Sequence, residues 1–349
     1  MIRMLIVGTG GMANAHVEAY AEMDGVEIVG GVDPNAAALA AFTGKFGIGR
    51  GFASVQEAVG WGGFDAVSNV TPDAVHHRTT LPLLAAGKHV LCEKPLATSH
   101  ADAVQMANAA AQAGVVNMVN LTYRNVPAVM EAARLVAEGA IGEVRHFEAS
   151  YLQSWLTQPA WGDWRQEDQW LWRLSGAHGS LGVLGDVGVH ILDFATLVAG
   201  ADAAAISCRL TTFDKAPGGK IGAYELDAND SFTLQTRLGN GAVGVIHASR
   251  MASGHLNDLR LRIYGTQGGL EARFEQGQSH LRGCFAPNLE AAVWEDLPTP
   301  PVQTNYARFV QAIRDRRQPQ PDFARGAVLQ QALDAAVASD AAACADVVL

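Results

Sequence analysis

Residues 1–33 place a glycine-rich segment between two short apolar runs, and this arrangement constrains the fold more than any other feature of the chain. Residues 4–7 form an apolar run typical of a buried strand, and residues 8–13 follow with the pattern G-x-G-x-x-A. A periodic stretch from about Met12 to Met23 predicts a helix, and a second apolar run ends directly before Asp33. This order of elements predicts a βαβ unit that binds a dinucleotide.

The small residues of this segment have distinct physical roles. Gly8 permits a tight turn, Gly10 lets the backbone approach a pyrophosphate, and Ala13 lets the helix pack closely on the strand. Free N–H groups and the helix dipole favour an anion at the helix N-terminus. A plain structural turn is the alternative, which the flanking strands and helix disfavour. We therefore expect a cofactor-binding turn formed by Gly8, Thr9, Gly10, Gly11 and Met12.

Asp33 predicts which dinucleotide is bound. A carboxylate after the second strand accepts hydrogen bonds from a ribose 2′-hydroxyl and repels a 2′-phosphate, so NAD is expected rather than NADP. The alternative is a turn acid, because Asp33 precedes Pro34.

Composition and charge exclude several classes of protein. The 349 residues carry a net charge of −10 and no long basic run, which argues against nucleic acid and anionic membranes as partners. No apolar stretch reaches membrane-spanning length, and the N-terminus lacks the pattern of a signal peptide. The four cysteines are far apart and never form C-x-x-C, which predicts reduced thiols in a cytoplasmic enzyme without a zinc site.

The pattern of elements changes near Tyr123. Alternating strands and helices before it predict an NAD-binding Rossmann domain over residues 1–123, built on a parallel sheet. Longer alternating strands after it predict an α+β domain over residues 124–349 with a large, mostly antiparallel open sheet, for substrate binding and oligomerisation. The predicted strands of this sheet cover residues 143–151, 204–213, 231–238, 242–249 and 259–264, and predicted helices cover 126–139, 304–316 and 323–342.

Two segments carry candidate catalytic residues. Lys94, in Glu93-Lys94-Pro95, follows a predicted strand, and ligands bind outside the carboxyl ends of strands in such sheets. An exposed loop lysine is the alternative. In residues 185–193, a helix would place Asp186, His190 and Asp193 on one face, which suits a general acid/base.

The second segment has two further interpretations. One is a helix-capping acid near a buried structural histidine. The other is a metal site, because Asp-x3-His-x2-Asp offers nitrogen and oxygen ligands. Only one histidine contributes, so we expect no metal.

Five of the seven tryptophans lie between Trp155 and Trp172, interleaved with polar residues. Such a segment suits the apolar faces and hydroxylated rims of sugar rings, and Trp164 and Arg165 are its candidate substrate contacts. A loop pinned to the core by tryptophans, or a subunit contact, is the alternative. His76 lies near the predicted nicotinamide end, where a structural or surface role competes with cofactor contact.

Taken together, these motifs resemble those of the Gfo/Idh/MocA oxidoreductases, which include inositol and other sugar dehydrogenases. The resemblance spans nearly the whole chain and includes Thr71-Pro72 and Tyr123-Arg124. It implies that Lys94 contacts the reacting hydroxyl and the nicotinamide ribose, and that His190 is the acid/base. It also implies that Asp186 supports His190 and binds substrate. Glu93 would hold the ribose side of the cofactor, and Arg124 would line the site. Thr71, Pro72 and His76 are further candidate cofactor contacts.

The same resemblance implies a homodimer or homotetramer formed through the C-terminal sheet. The family often has three glycines before its Asp-x-Gly-x-His motif, whereas residues 178–184 here include His178 and bulkier side chains. The substrate pocket is therefore expected to differ locally.

We expect an NAD-dependent dehydrogenase that acts on a secondary alcohol of a cyclic polyol or sugar, of the inositol, aldose or anhydrosugar type. This hypothesis requires Lys94 and His190 to act on the same carbon. The alternative is an oxidoreductive glycoside hydrolase that uses tightly bound NAD catalytically. A non-enzymatic NAD sensor is disfavoured, because such a protein would lack the acid/base residues.

Overall fold

The computed structural model describes residues 1–159 and 161–349, which form two compact units. The first contains Met1–Leu121 and Gln303–Gln330, and the second contains Thr122–Val302 and Gln331–Leu349. The division near residue 121 lies close to the predicted boundary. The C-terminal segment differs from the prediction, because residues 303–330 belong to the first unit.

The first unit contains a six-stranded sheet in which every strand pairs in parallel, in the order β3-β2-β1-β4-β5-β6. This arrangement confirms the predicted Rossmann-type fold. Its strands are β1 (Ile2–Val7), β2 (Val26–Val32), β3 (Gly51–Phe52), β4 (Ala66–Asn69), β5 (His89–Cys92) and β6 (Asn117–Val119). The helices along the same stretch are α1 (Gly11–Ala21), α2 (Ala36–Phe46), α3 (Val55–Trp61), α4 (His76–Ala85) and α5 (His100–Ala113).

Local sequence signals explain where these helices begin and end. Ser99 caps α5 by accepting a hydrogen bond from the Asp102 backbone N–H, as the capping-box spacing predicts. Asn35 caps α2 by accepting from the N–H groups of Ala37 and Ala38. Gly114 ends α5 in the left-handed region, which a residue without a Cβ adopts at little cost.

Helix α9 (Asn305–Asp315) explains why the C-terminal segment belongs to the first unit. Its buried face contributes Tyr306, Phe309 and Val310 to a core cluster that also holds Met4 and Ile6 of β1. These contacts join residues about three hundred positions apart, so local sequence patterns do not reveal them.

The second unit is built on a nine-stranded sheet in the order β16-β15-β14-β13-β7-β12-β11-β8-β17. Within this sheet, β7–β12 is the only parallel pair that the described residues form, and its other pairs are antiparallel. The strands are β7 (Val144–Leu152), β8 (Ala203–Thr211), β11 (Ser231–Leu238), β12 (Val243–Ser249), β13 (Asp258–Gly265), β14 (Gly268–Glu275), β15 (Gln278–Phe285), β16 (Glu295–Asp296) and β17 (Val347–Val348), and a separate hairpin joins β9 (Lys220–Ile221) to β10 (Tyr224–Glu225).

The predicted hairpin at residues 239–241 connects β11 and β12 and is confirmed. Strands β14 and β15 were not predicted. Strand β14 begins with two glycines and buries its first five residues in succession, so it lacks the alternation that marks the other strands.

The helices of the second unit are α6 (Pro127–Ala137), α7 (Asp168–Leu171) and α8 (Val189–Ala199), while α10 (Phe323–Ala341) contributes residues to both units. Helix α8 packs on β7, β13 and α6, and ten of its residues are buried. Within the described ranges, no helix has the length and apolar character that crossing a bilayer requires.

We expect Phe309→Ala to destabilise the protein by about 3–5 kcal/mol, because it removes a fully buried ring from the core of the first unit. Urea unfolding followed by fluorescence measures the change. Phe213→Ala is the control, because Phe213 is 38% exposed and should cost far less. Equal effects of the two substitutions would contradict the assignment of α9 to this core.

Candidate active site

The glycine-rich turn between β1 and α1 has the geometry of an anion cradle. Gly8 has a φ of +89°, and a Cβ at this position would lie 2.7 Å from the Val70 carbonyl oxygen, so only glycine fits. A Cβ at Gly10 or Gly11 would meet no atom within 4 Å, which leaves open space at the start of α1. The first turn of α1 has no side-chain cap. This donor set fits a dinucleotide pyrophosphate.

Asp33 both closes this turn and follows the second strand. Its Oδ2 accepts hydrogen bonds from the Thr9 backbone N–H at 2.9 Å and the Thr9 hydroxyl at 2.8 Å. Its Oδ1 accepts from the Asn35 N–H at 2.9 Å. The alternative role as a turn acid is therefore present in the structure. A carboxylate has further acceptor sites, so this role is compatible with binding a ribose.

Glu93, directly after β5, is held by three hydrogen bonds. Its Oε1 accepts from His16 Nε2 at 2.9 Å and from Asn120 Nδ2 at 2.6 Å, and its Oε2 accepts from the Lys94 backbone N–H at 3.2 Å. Burial by itself raises the pKa of this carboxyl, but the bonds from His16 and Asn120 outweigh it and hold the pKa at about 2. Glu93 is therefore a fixed carboxylate beside the half-buried Lys94.

The hydrogen bonds continue away from Glu93 on both sides. His16 Nδ1 lies 2.6 Å from the Ser68 hydroxyl, which lies 3.3 Å from the Tyr20 hydroxyl. On the other side, Asn120 also donates to the Tyr306 hydroxyl at 3.2 Å. The sequence motifs did not identify these residues. A histidine on the buried face of a predicted helix was the one available signal.

His76 was predicted to contact the cofactor, and the structure assigns it a different role. Its ring is fully buried, with Nε2 2.7 Å from the Thr71 carbonyl oxygen and Nδ1 2.9 Å from the Pro95 carbonyl oxygen. Both nitrogens are engaged by the backbone, so none is left to bind a cofactor. His76 instead links the Thr71-Pro72 turn to the Glu93-Lys94-Pro95 turn.

In the second unit, His190 lies on α8 and is 7% exposed. Its ring packs edge-on against Tyr123, with ring centroids 4.9 Å apart. The Tyr123 hydroxyl lies 2.5 Å from the Tyr151 hydroxyl, and burial raises the pKa of Tyr123 to about 12. The Tyr123 side chain is therefore a neutral phenol that packs against the His190 ring. Tyr123 was not predicted as a site residue.

The two acids predicted to share a face with His190 are held by different arginines. Asp186 lies in a π-helical turn over Leu184–Gly188, and its Oδ2 accepts from Arg250 Nη2 at 2.9 Å. Asp193 on α8 accepts from Arg124 Nε at 2.7 Å and Nη2 at 2.6 Å. The π-helical turn interrupts the α-helical spacing on which the shared face was predicted.

Arg124 is therefore a buried ion-pair partner, only 6% exposed, and its role as a substrate contact stays a prediction. Arg250 is fully buried and was not predicted. It also donates from Nη1 to the Arg173 carbonyl oxygen at 3.1 Å. Asp186 is thus anchored at one oxygen, while 29% of its side chain is exposed.

The tryptophan-rich segment forms a small core of its own. Trp164 is 3% exposed and packs among buried neighbours, which include Trp155, Leu156, Leu171, Leu174 and Leu226. This burial assigns Trp164 to core packing in place of the predicted contact with substrate. Arg165 is exposed and lies over the Trp164 ring at 4.4 Å. Its predicted contact with substrate stays a prediction.

Two sequence models of protein families match the chain. Residues 2–121 match the model described as "Oxidoreductase family, NAD-binding Rossmann fold", and residues 129–271 match the "GFO/IDH/MocA C-terminal domain".

Curated relatives include sugar-active enzymes. The chain is 31% identical to the 1,5-anhydro-D-fructose reductase of Ensifer adhaerens, over 91% of this chain and 90% of that enzyme. It is 29% identical to the levoglucosan dehydrogenase of Pseudarthrobacter phenanthrenivorans, over 80% of this chain and 75% of that enzyme.

Solved structures agree with these relatives. Levoglucosan dehydrogenase in complex with NADH and levoglucosan superposes with a TM-score of 0.86 at 26% identity, covering 100% of this chain and 99% of that one. An oxidoreductase domain protein from Kribbella flavida gives a TM-score of 0.83 at 31% identity, covering 97% of each chain. These matches, with the two family models, show that this protein belongs to the GFO/IDH/MocA family of NAD-dependent oxidoreductases.

Proposed function

We propose that the protein oxidises a secondary alcohol of a cyclic polyol or sugar, of the inositol, aldose or anhydrosugar type, with NAD as hydride acceptor. The observation that carries this proposal is the turn after β5, where Lys94 follows a carboxylate fixed by His16 and Asn120. The relatives named for levoglucosan and 1,5-anhydro-D-fructose support a cyclic sugar as the substrate class.

The first unit supplies the proposed cofactor contacts. The turn of Gly8, Thr9, Gly10, Gly11 and Met12 would hold the pyrophosphate, and Asp33 would accept from the ribose. Thr71, Pro72, Glu93 and Lys94 would border the nicotinamide end. When bound, the nicotinamide takes hydride from the carbinol carbon or returns it.

The side chains of the protein would accept the proton and bind the substrate. The Lys94 ammonium would donate a hydrogen bond to the reacting oxygen and stabilise developing alkoxide charge. His190 would accept the hydroxyl proton as general base. Asp186, anchored by Arg250, would accept hydrogen bonds from substrate hydroxyls.

The glycoside-hydrolase alternative gains no support from the relatives, which are named dehydrogenases and a reductase. The cytoplasmic location stays a prediction from the sequence.

We also propose a homo-oligomer formed through the outer face of the nine-stranded sheet. Strand β12 alternates between a buried face that carries Ile246 and an outer face on which Val243 and Val245 are 49% and 40% exposed. Exposed valines on a sheet face favour burial against a second copy of the chain.

We expect Gly10→Ala to preserve the fold and to weaken NAD binding by at least about tenfold, because its methyl would enter the space proposed for the pyrophosphate. Gly8→Ala should lower the melting temperature as well, since its Cβ would collide with Val70. Isothermal titration with NAD and thermal unfolding measure the two effects. Gly44→Ala is the control, because its Cβ also meets open space but lies on α2, away from the turn. Unchanged NAD affinity in Gly10→Ala would contradict the assignment.

We expect purified protein to form NADH with at least one member of a panel of inositols, aldoses and anhydrosugars. Lys94→Ala and His190→Ala should each lower kcat by about 10²–10⁴-fold, because each removes a proposed proton or charge contact. Lys220→Ala is a surface control that should keep full activity. Wild-type turnover in both site variants would refute these roles. Release of aglycone from glycosides without net NADH would favour the hydrolase alternative.

We expect Val245→Glu to dissociate the oligomer, because a charge would be buried at the proposed interface. Sedimentation velocity measures the assembly. Val337→Glu is the control, since Val337 is 51% exposed on α10, outside the sheet. A monomeric wild-type protein would contradict the proposal.

A further inference from the structure

Lys94 stands between two residues that are each held by a buried histidine. His16 on α1 contacts the Glu93 carboxylate, and His76 on α4 contacts the Pro95 carbonyl oxygen. Both histidine residues are fully buried, and all of these groups belong to the first unit. The two contacts therefore restrain the backbone on both sides of Lys94.

The contact with Glu93 fixes a proton on one nitrogen of the His16 ring. Because the Glu93 carboxylate can only accept, Nε2 carries the proton and donates to Oε1. The other ring nitrogen, Nδ1, lies 2.6 Å from the Ser68 hydroxyl. The hydrogen bonds that join Ser68, His16 and Glu93 follow the order of a hydrolytic triad. Ser68, however, is fully buried on β4 and has no access to substrate. The cluster can therefore position Glu93 but cannot act as a nucleophile.

The surroundings of His76 define its charge. Both ring nitrogens lie against carbonyl oxygens, which only accept, so both nitrogens carry protons when both bonds form. Burial lowers the pKa of this ring, but Cys92, Asp73 and the Pro95 carbonyl outweigh it and raise the pKa to about 10. The folded pKa lies above the ordinary value of 6.5. The stabilisation from this charge is therefore complete below that value and is lost as the pH rises through about 10.

These helices also connect Lys94 to the proposed cofactor contacts. Helix α1 begins at the glycine-rich turn, and its His16 holds Glu93. His76 also contacts the Thr71 carbonyl oxygen, in the turn proposed to border the nicotinamide. Each histidine thus joins the Lys94 segment to a different part of the dinucleotide site.

We propose that His16 and His76 are positioning residues that fix the backbone at Lys94 relative to the two cofactor-binding turns. The consequence for catalysis rests on the function proposed above, whereas the positioning itself is a property of the first unit alone. Neither histidine needs to touch substrate or cofactor for this role.

Hydrogen exchange tests the positioning without any enzyme assay. We expect the backbone amides of Glu93, Lys94, Leu96 and Ala97 to exchange at least about tenfold faster in His16→Leu and His76→Leu than in the wild type, because each variant frees one side of the segment. His77→Leu is the matched control, since His77 adjoins His76 but is half-buried and contacts Gln105. Unchanged exchange at these backbone amides in folded variants would overturn the proposal.

Kinetics separate positioning from a general loss of stability. In both variants kcat should fall by at least about tenfold, while the Kd for NAD should change by less than about threefold. His16→Gln keeps a donor toward Glu93 and should recover part of the lost kcat. Equal losses in kcat and NAD affinity, or no recovery by glutamine, would contradict the role of His16. If no sugar is oxidised but exchange changes as expected, the proposed function fails and the positioning stands.

A measurement on the wild-type protein tests the proposal even if the variants fail to fold. In ¹⁵N-histidine-labelled wild type, NMR at pH 7.5 should show the His76 ring with both nitrogens protonated, and the His16 ring with a proton on Nε2. A neutral His76 ring at this pH would overturn the proposed cross-link between Thr71 and Pro95.

Discussion

The Glu93 carboxylate is the group on which the first unit's site depends. Its two oxygens accept from the imidazole of α1, from an amide that follows β6, and from the backbone N–H of Lys94. Burying a carboxylate is costly unless donors surround it, and here the donors come from separate elements. The Glu93 carboxylate therefore fixes the positions of these elements relative to one another. The same bonds that keep the carboxylate ionised also connect helix α1, which begins at the glycine-rich turn, to the turn that carries Lys94.

In the second unit, arginine side chains are the donors that stabilise the carboxylates. Arg124 binds Asp193 through two hydrogen bonds, and both side chains are nearly fully buried. Arg250, fully buried, binds Asp186, which keeps part of its surface exposed. One ion pair thus stabilises the packing of α8, whereas the other orients an acid that can still accept from a ligand. The difference in exposure separates the structural carboxylate from the candidate binding carboxylate, although both lie in one short sequence motif.

Much of the fold was predictable because its signals are local. The glycine-rich turn, the Ser99 cap and the hairpin at residues 239–241 depend on residues close together in the chain. The placement of α9 in the first core, and of Trp164 in a buried cluster, depends on contacts between distant residues. The sequence left the role of His76 open for the same reason. Its sequence position indicated proximity to the cofactor, but its two carbonyl partners are visible only in three dimensions.

The sequence by itself determined the family, the order of the elements and the residue types available for chemistry, because backbone conformation and periodic burial are encoded over short windows. The tertiary structure alone decided which partner each polar group has. Three acids illustrate this point. Asp186 and Asp193 each accept from an arginine, whereas Glu93 accepts from a histidine. Those pairings arise from the packing of elements far apart in the chain. A hydrogen bond forms only when donor and acceptor lie about 3 Å apart, so the partner depends on how these elements pack.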